Sequence, residues 1–125
     1  MSREPVSADV TALGPYSPAI IAEGRFVYVS GQGPIRDGVE VLGTIAEETQ
    51  LTLDNVFTIL AAAGASPADV VRCGVYLTDI GDFAEMNAVY ERAFPQPRPA
   101  RTTIQVAGLP GGIRVEIDCV AVLPG

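Results

Sequence analysis

The chain has 125 residues and a formal net charge of −7; all eight basic residues are arginines, and histidine is absent. This length predicts one domain over 1–125, and the acidic balance argues against a nucleic-acid partner. Without histidine there is no Ser-His-Asp triad and no usual zinc site, so any chemistry must use other polar side chains or the backbone.

Short strands and turns are predicted for the first third of the chain. The segment 1–15 is expected to be a loop, and Asp37-Gly38 is a turn signal. Alternating apolar residues predict strands over 18–22, 26–30 and 39–42. Residues 1–10 lack the apolar core of a signal peptide, which predicts a cytoplasmic protein.

Two helices are predicted, over 44–64 and 82–95. Thr44 and Glu47 have the spacing of a capping box, and Asp82 is the expected cap of the second helix. Each helix has one apolar stripe, formed by Leu53, Val56, Phe57 and Leu60 in the first and by Phe83, Met86, Tyr90 and Phe94 in the second.

Three longer strands complete the pattern, over 69–79, 101–107 and 113–122. The order of elements predicts an α+β fold with one mixed sheet and both helices on one face. Val70, Val120 and Val122 are expected on the opposite face, where apolar residues would need cover from another subunit. No apolar run approaches the ~18 residues that cross a bilayer, so no membrane partner is expected.

Cys73 and Cys119 lie within apolar, strand-like segments. This setting predicts buried, reduced thiols rather than a disulfide. Two cysteines in such a setting are also too few for a structural metal site. We therefore expect neither a metal nor an organic cofactor.

Arg101 opens a strand whose residues alternate in character, and Glu116 lies on the last strand. If Ile104 faces the helices, Arg101 and Glu116 share the other face of the sheet. One interpretation is a cross-strand salt bridge, worth ~0–1 kcal/mol when exposed. The other is that Arg101 binds a carboxylate through its two-pronged fork while Glu116 activates a water molecule.

Five other residues are candidates for a functional site. Tyr16, in "GPYSPAI", is either a core anchor or a ring over a small ligand. Ser30 and Gly31, in "SGQGP", offer backbone groups at close approach, although the segment is too short for a phosphate loop. Asn87 either packs on a helix surface or supports a cleft, and Thr103 shares the face of Arg101.

Six segments in this order and spacing resemble the RidA/YjgF family, from Gly14 to Val122. They are "GPYSPAI", "YVSGQGP", "LDNVFTILAAAGAS", "VVRCGVYLTDIGDFAEMNAVYERAF", "PARTTIQVAGLP" and "VEIDCVAV". The resemblance implies a chorismate-mutase-like fold that trimerises into a barrel, with a cleft between each pair of subunits. It also implies a deaminase that hydrolyses 2-imino acids, such as 2-iminopropanoate and 2-iminobutanoate, to 2-keto acids and ammonia.

Matched residue by residue, the resemblance also implies roles. Arg101 would hold the carboxylate, Tyr16 would pack over the ligand and Glu116 would position the water. Backbone groups of Gly31 and Thr103 would contact the imine end, and Asn87 would support the cleft.

The sequence departs from the family at two places. Thr102 and Thr103 replace a small residue and a cysteine found in many members, and Glu48 replaces a glutamine. Two other functions remain open: a non-catalytic trimer that binds keto acids, and a ribonuclease, against which the acidic balance counts.

Overall fold

The computed structural model describes residues 3–125, and its centre is a four-stranded sheet with two helices on one face. Eight strands and two α-helices occur in this part of the chain. They are β1 (Arg3–Pro5), β2 (Ile20–Ala22), β3 (Phe26–Gln32), β4 (Ile35–Arg36), β5 (Val39–Glu40), α1 (Ile45–Ala62), β6 (Val70–Leu77), α2 (Phe83–Ala93), β7 (Ala100–Gln105) and β8 (Val115–Val122).

The central sheet has the strand order β3-β8-β6-β7. β8 is antiparallel to both of its neighbours, whereas β7 is parallel to β6. The sheet is therefore mixed, as predicted, because the crossover from β6 to β7 passes through α2. β7, which carries Arg101, forms one edge of this sheet.

The first helix begins as the sequence predicts. The Thr44 hydroxyl accepts the N–H of Glu47, and the Glu47 carboxylate accepts the N–H of Thr44. The second helix differs in detail, because the side chain of Asp82 makes no capping hydrogen bond. Instead, the Asp79 carboxylate accepts the N–H of Gly81 in the turn before it.

The core lies between the sheet and the two helices. The predicted apolar stripes face this core, and Phe57 and Phe83 are only partly buried in it. The fully buried members of the core come from both helices and from the helix side of the sheet: Leu53, Val56, Leu60, Val70, Cys73, Val75, Leu77, Met86, Tyr90, Val115, Ile117 and Ala121.

Two of the valines predicted to need cover from a second subunit are covered within the chain. The pairing of β6 with β8 shifts between Val70 and Arg72, which brings Val70 opposite Ala121 and into the core. Val122 is also buried, with its side chain against Gly24. The prediction for these two residues is wrong: a β-bulge turns Val70 to the other face of the sheet, and the chain at Gly24 packs against Val122.

The face of the sheet opposite the helices, here called the open face, still carries apolar side chains. Tyr28 is 76% exposed and Ile104 is 46% exposed, and the exposed Phe26 is the first residue of β3. Tyr28 is paired with Val120, which is half-buried. The open face is therefore apolar, but through residues of the outer strands rather than Val70 and Val122.

Two short strands, β1 and β4, are not among the elements predicted from the sequence. β1 pairs with β2 inside the predicted loop, and the Arg3 side chain donates from Nε to the Val70 carbonyl at 2.9 Å. β4 pairs with β5 across the predicted turn, where Asp37 has φ 53°. Strands of two or three residues are too short to show a period of two.

Both cysteines are free and buried, as predicted. Cys73 and Cys119 are paired across β6 and β8 on the helix side of the sheet. Burial raises the pKa of each thiol to about 12. Across residues 3–125 there is also no helix long and apolar enough to cross a membrane.

Candidate active site

Arg101 points toward the helices, not toward the open face. The parallel register pairs Arg101 with Cys73 and Thr103 with Val75, and both partners belong to the core. Ile104 lies on the other face, paired with Tyr76. The predicted orientation is wrong because Ile104, on an edge strand, is left partly exposed while the arginine is buried.

Three aromatic rings surround the guanidinium of Arg101. Its Cζ atom lies 4.8 Å from the ring centroid of Tyr90, 5.0 Å from that of Tyr16 and 5.6 Å from that of Phe83. We call these three residues the aromatic cage. Only 9% of Arg101 is exposed, so the cage replaces most of the water that would otherwise solvate the charge.

The nitrogen atoms of the guanidinium have no hydrogen-bond partner within residues 3–125. Nε, Nη1 and Nη2 are all buried and unpaired. Burial lowers the pKa of Arg101 from its usual value, but a guanidinium remains charged at neutral pH. A buried cation without a hydrogen-bonding partner is costly, and a small anion would satisfy its donors.

The segment before β2 forms a tight cover over this group. A Cβ atom on Gly14 would lie 3.0 Å from Nη2 of Arg101 and 3.3 Å from Nδ2 of Asn87, so only glycine fits without displacement. The Tyr16 hydroxyl accepts the N–H of Leu13 at 3.1 Å. Ser17 fastens the segment from the other side, because its N–H donates to the Pro99 carbonyl at 3.1 Å.

Asn87 and Thr103 also have unpaired polar atoms near Arg101. Oδ1 of Asn87 and Oγ1 of Thr103 are buried and make no hydrogen bond within the described chain. Asn87 reaches this place from α2, and Thr103 lies two residues beyond Arg101 on the same side of β7. Both atoms can accept a hydrogen bond, which makes the site suitable for a ligand with an acidic end and a donor group.

Glu116 lies on the open face, away from Arg101. It is paired with Tyr76, and it packs on the backbone of Gly31, where a Cβ atom would lie 2.8 Å from Cδ of Glu116. The register of β3 shifts between Val29 and Gln32, which is where Gly31 makes this approach. Ser30 is exposed beside it, and its carbonyl accepts the side-chain N–H of Gln32.

The structure therefore divides the predicted site residues into two groups. Tyr16, Asn87 and Arg101 come together on the helix side, whereas Gly31 and Glu116 meet on the open face. β6 separates the strands of Arg101 and Glu116, so the two backbones are roughly 10 Å apart across the sheet and roughly 10 Å along it. No salt bridge joins Arg101 to Glu116 within residues 3–125.

Three residues that shape the Arg101 site were not predicted as site residues from the sequence: Gly14, Phe83 and Tyr90. Phe83 and Tyr90 appeared only as parts of an apolar stripe, which is the usual meaning of aromatic residues at helical spacing. No group of three or more potential metal ligands occurs within residues 3–125.

Residues 6–123 match the family model described as Endoribonuclease L-PSP. The chain is 42% identical to the protein mmf2, mitochondrial, of Schizosaccharomyces pombe, over 97% of this chain and 98% of that one. It is 45% identical to the 2-iminobutanoate/2-iminopropanoate deaminase of Bos taurus, over 89% of this chain and 82% of that one.

Solved structures of similar sequence also match nearly the whole chain. The YjgF gene product of E. coli superposes with a TM-score of 0.74 at 38% identity, covering 89% of this chain and 90% of that one. E. coli TdcF with bound serine superposes with a TM-score of 0.76 at 36% identity, covering 90% and 91%. The fold, the sequence and the family model agree over nearly the whole length, so the chain belongs to the YjgF/RidA family, the family of the Endoribonuclease L-PSP model.

Proposed function

We propose that this protein hydrolyses small 2-imino acids, such as 2-iminopropanoate and 2-iminobutanoate, to 2-keto acids and ammonia. The observation that carries the proposal is the buried guanidinium of Arg101, whose three nitrogen atoms have no hydrogen-bonding partner in the described part of the chain. A 2-imino acid offers a carboxylate to this fork, and bidentate pairing is the strongest form of that contact. The name of the Bos taurus relative supports the same substrate class.

The positions of Arg101 and Glu116 favour a site between subunits. They lie on opposite faces of one sheet, so they can meet at one ligand only if each comes from a different chain. The open face, which carries Glu116, also exposes Tyr28 and Ile104, and burial of these side chains would stabilise an assembly. We propose a homotrimer in which the open faces line a central barrel and each cleft joins Arg101 of one chain to Glu116 of the next.

The reaction requires few catalytic groups. A protonated imine is already electrophilic at C2, and the Arg101 clamp fixes that carbon relative to a water molecule. Glu116 accepts a proton as the water oxygen bonds to C2, which gives a tetrahedral amino alcohol. Proton transfer to nitrogen then breaks the C–N bond, and ammonia leaves as the keto group forms, so one water is consumed for each imine.

Four further residues would line the proposed cleft. The backbone of Gly31, beneath Glu116, and that of Thr103 would contact the imine or keto end of the ligand. Tyr16 and Asn87 border the Arg101 fork. No step in this scheme needs a metal or an organic cofactor, because the substrate itself is the electrophile.

The proposal is tested by an assay in which an amino-acid oxidase generates the imine and the release of 2-keto acid is followed. Added protein should accelerate release above the spontaneous rate, and Arg101→Ala should abolish that acceleration. Arg98→Ala is the matched control, because Arg98 is a nearby arginine that donates to Glu91. Equal rates with and without the wild-type protein would contradict the proposal.

A non-catalytic keto-acid binder is the second candidate, because the unpaired guanidinium would hold a product carboxylate equally well. Pyruvate binding without accelerated imine hydrolysis would favour this function. Cleavage of RNA, which the family description names, has no supporting observation here: the net charge is −7, and a polyanion would be repelled.

A further inference from the structure

The aromatic cage raises the question of why an arginine is held by rings rather than by a carboxylate. We propose that Tyr90 and Phe83, both on α2, are positioning residues that hold the Arg101 guanidinium in place while leaving its N–H donors free for the ligand. This inference rests on the proposed function only for its kinetic consequence. The arrangement of the rings around the charge is independent of any activity.

Tyr90 is fixed from behind by a stack of rings that continues into the core. Its ring centroid lies 4.6 Å from that of Phe94, which in turn meets Phe57 edge-on at 5.3 Å. Tyr90 is fully buried and Phe94 nearly so. Phe94 is therefore the ring that lies directly against Tyr90, and Phe57 lies one ring further from Arg101.

A ring attracts a guanidinium through its face, whereas the N–H donors lie in the guanidinium plane. The cage can therefore stabilise the charge without occupying the donors. Arg98 shows the other arrangement: it donates to the Glu91 carbonyl, and one of its nitrogen atoms lies 3.9 Å from the Glu91 carboxylate. An acidic neighbour at Arg101 would compete with the substrate carboxylate in the same way.

The hydroxyl of Tyr90 does not explain why this residue is present. Its oxygen is buried beside the Cys73 thiol, which offers only a weak hydrogen bond, and it makes no hydrogen bond to a nitrogen or oxygen atom of residues 3–125. Phenylalanine would keep the ring and remove only this weak contact. The ring face, rather than the hydroxyl, is thus the part that acts on Arg101.

The kinetic experiment compares Tyr90→Leu and Tyr90→Phe with Phe57→Leu. Phe57→Leu removes a ring from the same stack, two rings away from Arg101, and serves as the matched control. Loss of the cage weakens carboxylate binding in the ground state and transition state alike, so Tyr90→Leu should raise KM roughly 5- to 30-fold with kcat nearly unchanged. Tyr90→Phe and Phe57→Leu should keep the wild-type KM. A purely structural role would lower apparent kcat at unchanged KM and would overturn the proposal.

A second measurement separates the cage from the activity. The Arg101 Nε–H resonance, assigned with Arg101→Lys, should exchange slowly with water in the wild type, move on addition of pyruvate, and exchange faster in Tyr90→Leu. If the wild type hydrolyses no imine, this exchange alone decides the proposal. If Tyr90→Leu does not fold, Phe83→Leu, at the half-buried ring of the cage, takes its place. An exchange rate unchanged in the folded cage variant would refute the positioning role.

Discussion

The two faces of the central sheet present the two charges of the candidate site in different ways. On the helix side, Arg101 is desolvated, enclosed by rings and without a hydrogen-bonding partner among the described residues 3–125. On the open face, Glu116 is half-exposed and rests on Gly31. The first environment leaves N–H donors free for an anion, and the second leaves a carboxylate accessible to solvent. In the proposed assembly, one chain would contribute Arg101 to one cleft and Glu116 to another.

The largest effect is expected from the arginine itself. Arg101→Lys keeps the charge but loses the planar fork, so kcat/KM should fall by roughly 10- to 150-fold, the equivalent of about 1.5–3 kcal/mol. Arg101→Ala should lose more. Thermal stability should change less than activity in either variant, because the lost ring contacts are offset by removal of a buried guanidinium that makes no hydrogen bond to residues 3–125. Wild-type hydrolysis of 2-iminopropanoate by Arg101→Ala would show that Arg101 is not the carboxylate clamp.

Mixing two inactive variants tests the opposite placement of the two charges. Arg101→Ala and Glu116→Gln should each be nearly inactive alone. If every cleft joins Arg101 of one chain to Glu116 of its neighbour, trimers refolded from an equal mixture should regain about one quarter of wild-type activity, because half of the clefts keep each residue. The activity of separately refolded samples, combined afterwards, is the control. No recovery after co-refolding would place both residues in the same chain's site.

The sequence predicted the helices and long strands because their patterns extend over many residues. It failed where a single local feature decides the outcome: the β-bulge that carries Val70 into the core, and the edge strand that turns Arg101 inward. Alternation along β7 separates its residues into two sets but does not say which set faces the helices. The charge of Arg101 suggested the polar face, whereas the rings of Tyr16, Phe83 and Tyr90 make the buried position tolerable.

The strand that carries Glu116 is anchored from the helix side by Glu48. This buried carboxylate accepts the N–H of Gly43 on one oxygen and that of Arg114, just before β8, on the other. Glu48→Gln would place an NH₂ group against one of these N–H donors. We expect the free energy of unfolding to fall by about 1–3 kcal/mol, measured by urea denaturation. Glu47→Gln is the control, because its exposed side chain keeps an oxygen for the capping box; equal losses in the two variants would contradict the anchoring role.

The smallest effect concerns the exclusion of water from the helix side of the sheet. Burial raises the pKa of Cys73 to about 12, whereas a thiol in the unfolded chain ionises near pH 8.5. Because the pKa of Cys73 is higher in the folded chain than in the unfolded chain, the neutral thiol contributes its full stabilisation below the pKa of the unfolded chain. This contribution is lost as the pH rises toward the pKa of the folded chain. Between pH 8 and 9 the stability should fall by about 0.7 kcal/mol through this thiol. Cys73→Ala will be less stable at both pH values, but its loss between them should be smaller by that amount. The same pH dependence in both proteins would mean that water reaches Cys73 beneath the Arg101 cage, and the contrast between the two faces of the sheet would then be weaker than the burial of Arg101 suggests.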